Sequence, residues 1–210
     1  MKRPGLTRER IVATAMQMAD RDGLDAVTLR RIAARMKVHV TSLYNHVPTK
    51  DAVLDGVVER LIAEAELPTT SATWQDWVRE FASSMRAVAQ RHPGAFAAFH
   101  HRPVQGPEAS AAVEAALAVF GAAGFDDAES YSAVKSVTFA VLGLALEDQA
   151  GVESSGSPTD LSVLSVERFP HLHAIGEVAE HADVASYLID ALIAGIAANH
   201  RRAVKNRTNL

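Results

Sequence analysis

Between Thr28 and Lys50 the chain reads TLRRIAARMKVHVTSLYNHVPTK, and this stretch constrains the fold more than any other. Taken alone, its valines and threonines favour a strand. The spacing favours helix. Leu29, Ile32, Ala33 and Met36 fall on one side of a short helix that Thr28 can cap, with Arg30, Arg31 and Arg35 opposite. Val38, Leu43 and Val47 continue the apolar set, and Pro48 ends the segment. His39, Thr41, Ser42, Tyr44, Asn45 and His46 are left facing mainly outward. Two short helices around a tight turn form the helix-turn-helix plan, whose second helix enters the DNA major groove. A face of hydroxyls and amides without acid suits base edges and phosphate oxygens. Val40 with Thr41 and Ser42 adds a methyl-bearing patch suited to thymine methyls. Lys50 and the free amides opening the next helix supply a further phosphate site.

Charge distribution points the same way. The net charge is −4, yet residues 1–50 carry ten Lys/Arg against four Asp/Glu, or +6, and the remainder carries −10. A basic head on an acidic body is the footprint of a phosphate-binding module joined to something else. The absence of cysteine excludes disulfides, thiolate nucleophiles, zinc–thiolate sites and iron–sulfur clusters. No apolar run follows the basic N-terminus, and stretches such as 139–146 fall far short of the roughly 20 residues a membrane span needs. The expectation is a cytoplasmic protein with no membrane contact.

The rest of the chain reads as helix, with no period-2 alternation long enough for a sheet and no tandem repeat. Thr7 caps a first helix over 8–22 that Gly23 stops, and Thr49 caps a fourth reaching about Glu66. The segment 67–73 is a break before a helix carrying Trp74, Trp77, Val78, Phe81, Met85 and Val88. Short helical sequence follows around 92–103, then helices near 108–123 and 127–150. The last of these is apolar around nearly its whole circumference and so is buried on more than one side. Residues 151–162 read as a mobile loop, followed by a short helix near 167–180 and a long one capped by Asp183. The expected fold is all-α. Its parts are a three-helix DNA-binding domain (1–48), a connecting helix (49–66) and a larger helical domain (67–210).

The stretch from Val27 to Val58, and in particular Leu43-Tyr44, His46-Val47, Lys50 and Leu54-Asp55, resembles the tetracycline-repressor (TetR) family of bacterial regulators. TWQDWVRE, Arg102-Pro103, GAAGF at 121–125 and LALEDQ at 144–149 look like the tetracycline repressor's own branch. The resemblance implies that Arg30 contacts a base and that His39, Val40, Thr41 and Ser42 lie at or near base edges. It also implies that Tyr44, His46 and Lys50 hold the DNA backbone. Asn45 shares that outward face and joins the expected DNA-binding set. The resemblance further implies a homodimer, built through the helices around 127–150 and 183–204, on a near-palindromic double-stranded operator, and it assigns ligand binding and dimerisation to the larger domain (67–210). Lys37 stands where the family often has a turn glycine, so the turn carries slight strain or uses a different φ/ψ.

For the effector site, the resemblance points to the larger domain, but its drug-binding positions are changed. Phe81, Met85, about Ala98, Ala116, Phe139 and Glu66 occupy them, with only Glu147 retained. The expected ligand is therefore a small, largely apolar molecule and not tetracycline. The residues expected to bind it are Phe81, Met85, Phe99, His100, His101, Leu117, Phe139, Leu142 and Glu147, with Phe96 and Val113 also in the lining. Glu147 can anchor a ligand, pair with Arg102 or cap the bundle. Adjacent histidines face different directions on a helix, so no metal is assigned to His100 and His101, nor to the HLH at 171–173. No cofactor is expected. No nucleophile elbow, phosphate-cradling loop or HExxH motif is present. The alternative is a helical enzyme or protein-binding adaptor with a metal or ligand site near His100, His101 and Glu147. Repression is the commoner mode in the family, and the operator and effector stay open.

Overall fold

A computed structural model describes residues 5–102, 106–153, 164–179 and 182–208. Among them the chain is all-helical, without a strand: α1 (Arg8–Asp22), α2 (Leu29–Met36), α3 (Val40–Tyr44), α4 (Lys50–Glu64), α5 (Trp74–Arg91), α6 (Pro93–Phe96), α7 (Ala98–His101), α8 (Pro107–Ala122), α9 (Asp127–Glu153), α10 (Pro170–Ala179) and α11 (Val184–Thr208). A single 3-10 turn at Leu24–Ala26 separates α1 from α2. The chain divides into two compact units, residues 1–146 and 147–210.

Hydroxyl side chains begin four helices of the first unit, α1, α2, α4 and α5. Thr7, Thr28, Thr49 and Thr73 each accept a backbone N–H from three residues on, at 3.0–3.3 Å. Each satisfies a donor that the helix leaves unpaired. Gly23 ends α1 at φ 80, as the sequence suggests. α4 ends at Glu64, with Ala65 as its cap and Glu66 at φ 49, two residues short of the expected limit.

The core begins with the apolar stripe of α1, in which Ile11, Val12, Ala15, Met16, Met18 and Ala19 are buried. α4 packs on it with Val53, Leu54, Val57, Val58, Leu61 and Ile62. Further along, Trp74 and Trp77 of α5 surround the fully buried Phe120 of α8, with ring centroids 5.5 and 5.9 Å away, and Phe125 meets Phe120 edge-on at 5.2 Å. The Trp77 indole N–H donates to the Pro68 carbonyl at 3.3 Å, which fastens the 67–73 segment to α5.

The second unit contains the end of α9, then α10 and α11. Asp183 caps α11 by accepting the Ser186 N–H at 3.0 Å. Val184 and Tyr187 of α11 are exposed. The expected 151–162 loop lies, beyond Glu153, outside the described residues. No described helix is long and apolar enough to cross a membrane.

Candidate nucleic-acid interface and effector cavity

The reading surface is built on the turn after α2. Lys37 adopts φ 57, ψ 45, the left-handed conformation that glycine takes most easily. Its N–H donates to Ala34 O at 3.1 Å and the Val38 N–H to Ala33 O at 3.0 Å, the paired bonds of a Schellman cap. The turn geometry is therefore kept with a lysine in place, and the strain falls on that one residue.

This cap sets the angle at which α3 leaves. Leu43 and Val47 are fully buried against the head, and Val38 is half-buried. Arg30, His39, Thr41, Tyr44, Asn45, His46 and Lys50 are exposed, and Val40 and Ser42 half-buried. His39 caps α3, accepting the Thr41 N–H at Nδ1, and the same nitrogen lies 2.7 Å from the Thr41 hydroxyl. Arg31 is committed elsewhere, since it pairs with Asp22 at 3.1 Å, where Arg21 also binds. No Asp or Glu lies between Asp25 and Asp51, so α2 and α3 themselves carry no acid, and the carboxylate at Arg31 comes from α1.

A narrow apolar cavity of about 50 Å³ lies in the same unit, between α4, α5, α7, α8 and α9. Phe81, Met85, Phe99, Val113 and Leu142 line it together with Trp77, Thr138, Val134, Ile62 and Leu67. Ala109, Ala112 and Ala116 form its floor along α8. Trp77 stacks on Phe81 at 5.0 Å and 15°. Thr138 is the one lining residue with a polar side chain, and its hydroxyl donates to Val134 O at 2.8 Å, which leaves its lone pairs to accept.

The remaining expected ligand residues are not among this lining. Phe139 is 65% exposed, with the Lys135 ammonium 4.5 Å over its ring. Leu117 is half-buried, and Phe96 is fully buried in the core, its ring tilted against that of Phe99 at 4.8 Å. His100 and His101 are exposed on α7, with ring centroids 6.5 Å apart. Among the described residues no group of three or more His, Asp or Glu side chains is arranged to hold a metal ion. Glu147 is exposed on α9. Arg102, one of the partners the sequence offers Glu147, binds Asp55 and Asp51 of α4.

These α4 contacts are what sequence reasoning missed. Arg102 lies beside α7 and holds both oxygens of Asp55. Glu59 accepts the Glu108 N–H at 2.8 Å and so caps α8 from α4. Gly106, at φ 111, makes room for that carboxylate, because a Cβ there would overlap it. The polar edge of α4 is thus fastened to α7 and α8, next to the cavity residues Phe99 and Ala109.

Comparison with known proteins gives the relationship. The model of the bacterial regulatory proteins of the tetR family matches residues 11–57, and that of the tetracyclin repressor-like C-terminal domain matches 67–199. An HTH-type transcriptional regulator of Saccharopolyspora erythraea is 37% identical over 161 residues, covering 73% of this chain and 68% of its own length. The tetracycline repressor protein class D of Escherichia coli is 29% identical over 171 residues, covering 80% of this chain and 76% of its own. Apo ActR from Streptomyces coelicolor superposes with a TM-score of 0.82 at 28% identity, covering 96% of this chain and 99% of ActR. ActR in complex with actinorhodin superposes with a TM-score of 0.78 at 27% identity, covering 94% of this chain and 98% of ActR.

Proposed function

The chain belongs to the TetR family of helix-turn-helix transcriptional regulators, and from that premise we propose that it is a cytoplasmic repressor released from a near-palindromic operator by a small, largely apolar effector. The observation that carries this reading is the pairing, within one unit, of an exposed acid-free α3 face with an apolar cavity bordered by α4. Arg30, His39, Val40, Thr41 and Ser42 read bases, while Tyr44, Asn45, His46 and Lys50 hold phosphates. Two such heads must stand about 34 to 36 Å apart to enter successive major grooves, which requires a homodimer. Exposed apolar residues on α9 (Tyr131, Phe139) and on α11 (Val184, Tyr187) support that assembly.

The effector enters the space ringed by Trp77, Phe81, Met85 and Phe99. Drug-sized ligands occupy roughly 300 Å³ or more, so at about 50 Å³ the cavity must open to admit one. Opening displaces α7 and α8, whose ends grip Asp55 and Glu59 of α4, and α4 carries the head. ActR, whose structure with actinorhodin this chain resembles, supports a small-molecule effector, and the aromatic rings of the lining suit an aromatic one. The lining, with Thr138 as its polar side chain, favours an uncharged molecule over magnesium–tetracycline.

Coupling of this kind is worth ~1 to 3 kcal/mol and is reciprocal. A thermal-shift screen of uncharged aromatic compounds, followed by titration of each hit with and without operator, tests it. The operator should weaken effector binding by the factor by which effector weakens operator binding. Equal effector affinity in both titrations would refute the switch.

A further inference from the structure

The end of α1, the end of α4 and the start of α6 meet at His92. Its Nδ1 lies 2.8 Å from Asp20 Oδ2 and its Nε2 lies 3.0 Å from Glu64 Oε2. All three side chains are about three-quarters buried, with 23 to 27% of their surface exposed. The other Asp20 oxygen accepts the Ala95 N–H at 2.9 Å, so an α1 carboxylate caps α6. Gly94 allows the approach, since a Cβ there would collide with the Ala19 carbonyl.

An ionised carboxylate only accepts hydrogen bonds, so a ring with a carboxylate at each nitrogen satisfies both only by donating from both, as imidazolium. Glu64 is held ionised. Burial pushes its carboxyl up, but hydrogen bonding and charge from Arg60, then His92, outweigh this and keep it below its ordinary value. The charged groups facing the joint are Asp20 from α1, Glu64 and Arg60 from α4, and Arg91 from α5. Arg60 Nε donates to Glu64 Oε1 at 2.7 Å, and Arg91 donates to the Glu64 carbonyl at 2.6 Å with its other terminal nitrogen 3.9 Å from Oε2. With two arginines on Glu64, Asp20 is the carboxylate that depends on the ring.

We propose that His92 is a positioning residue acting as a proton-dependent latch, which fixes α1, α4 and α6 in one joint and lets go of one carboxylate as the pH rises. The latched form holds one more proton than the released form, so higher pH favours release. The consequence for operator affinity rests on the regulator reading above. The latch itself does not.

Amide exchange on the full chain, corrected for its intrinsic pH dependence, reads the joint directly. Wild-type protection at Ala95 and over the last turn of α1 should fall roughly fivefold from about pH 6 to about pH 8. In Asp20→Asn the retained Oδ1 still accepts from Ala95 while the side-chain amide donates to a neutral ring, so protection should be equal at both pH values. Should that variant fail to fold, the ring nitrogens of wild-type His92 decide by NMR: both protonated at pH 6 supports the latch. A neutral tautomer at pH 6, pH-independent wild-type protection, or an unchanged pH slope in Asp20→Asn overturns it. Operator affinity of the same proteins at both pH values then shows whether the joint governs the head. Absence of DNA binding would count against the regulator reading and leave the exchange result standing.

Discussion

Arg102 donates to both carboxylate oxygens of Asp55, through Nε at 2.7 Å and a terminal nitrogen at 3.1 Å, across 47 residues of sequence. Its second terminal nitrogen reaches Asp51 at 3.0 Å. A fork that grips one carboxylate with two parallel bonds fixes orientation as well as distance. α4 is thereby held in register with α7. Arg102→Ala and Asp55→Ala should each loosen α4, and the double variant should lose little more than Arg102→Ala alone, because the arginine change already removes every contact that Asp55 makes with it. A double-mutant cycle on urea unfolding checks this, and simple additivity would show that the pair does not couple.

Lys37 holds a left-handed conformation that costs a side-chain-bearing residue roughly 1 to 2 kcal/mol. Its side chain is exposed and has no hydrogen-bond or ion-pair partner among the described residues. Lys37→Gly should therefore stabilise the chain, by about 0.5 to 1 kcal/mol once the greater freedom of glycine in the unfolded state is set against it. The urea midpoint should rise with an unchanged slope.

Gly94→Ala should do the reverse. The added methyl meets the backbone of Ala19 and Asp20, which cannot rotate away. Separating α6 from α1 should cost ~1 to 3 kcal/mol, read as a lower urea midpoint together with faster amide exchange at Ala95.

Much of this fold can be read directly in the sequence, because the signals are local. Thr7, Thr28, Thr49 and Asp183 cap where a hydroxyl or carboxylate precedes an apolar run. The strand-like valines of 38–47 resolve into a helix-turn-helix because Leu43 and Val47 return to one face. What periodicity cannot supply is contact across the chain. The partnerships of His92 with Asp20, 72 residues away, and of Arg102 with Asp55 depend on how helices pack. The cavity was half legible for a related reason. Phe81, Met85 and Phe99 announce an apolar lining, but Ala109 and Ala112 contribute by being small and carry no signal. α9 is apolar on every side, so nothing in its sequence distinguishes the inward Thr138 from the exposed Phe139.

On the DNA-reading face, Arg30→Ala should cost ~1 to 3 kcal/mol of operator affinity and relax base preference at one position. Lys50→Ala should weaken all sequences alike and reduce the salt slope by about 1. Anisotropy titrations against matched and mismatched duplexes separate the two. Uniform losses in both variants would show that the roles are divided differently.

Magnesium–tetracycline should not bind measurably in calorimetry, because the cavity lining offers no charged side chain and no histidine. Nanomolar binding would contradict the apolar-effector reading.

The central claim is that the chain reads DNA through α3 as a symmetric pair. Selection of the full-length protein against a random-sequence duplex library, followed by titration of the enriched site at several salt concentrations, tests it most directly. The account predicts a near-palindrome with half-sites one helical turn apart and log K falling linearly with log salt. No enriched sequence, or binding that ignores salt, would contradict it.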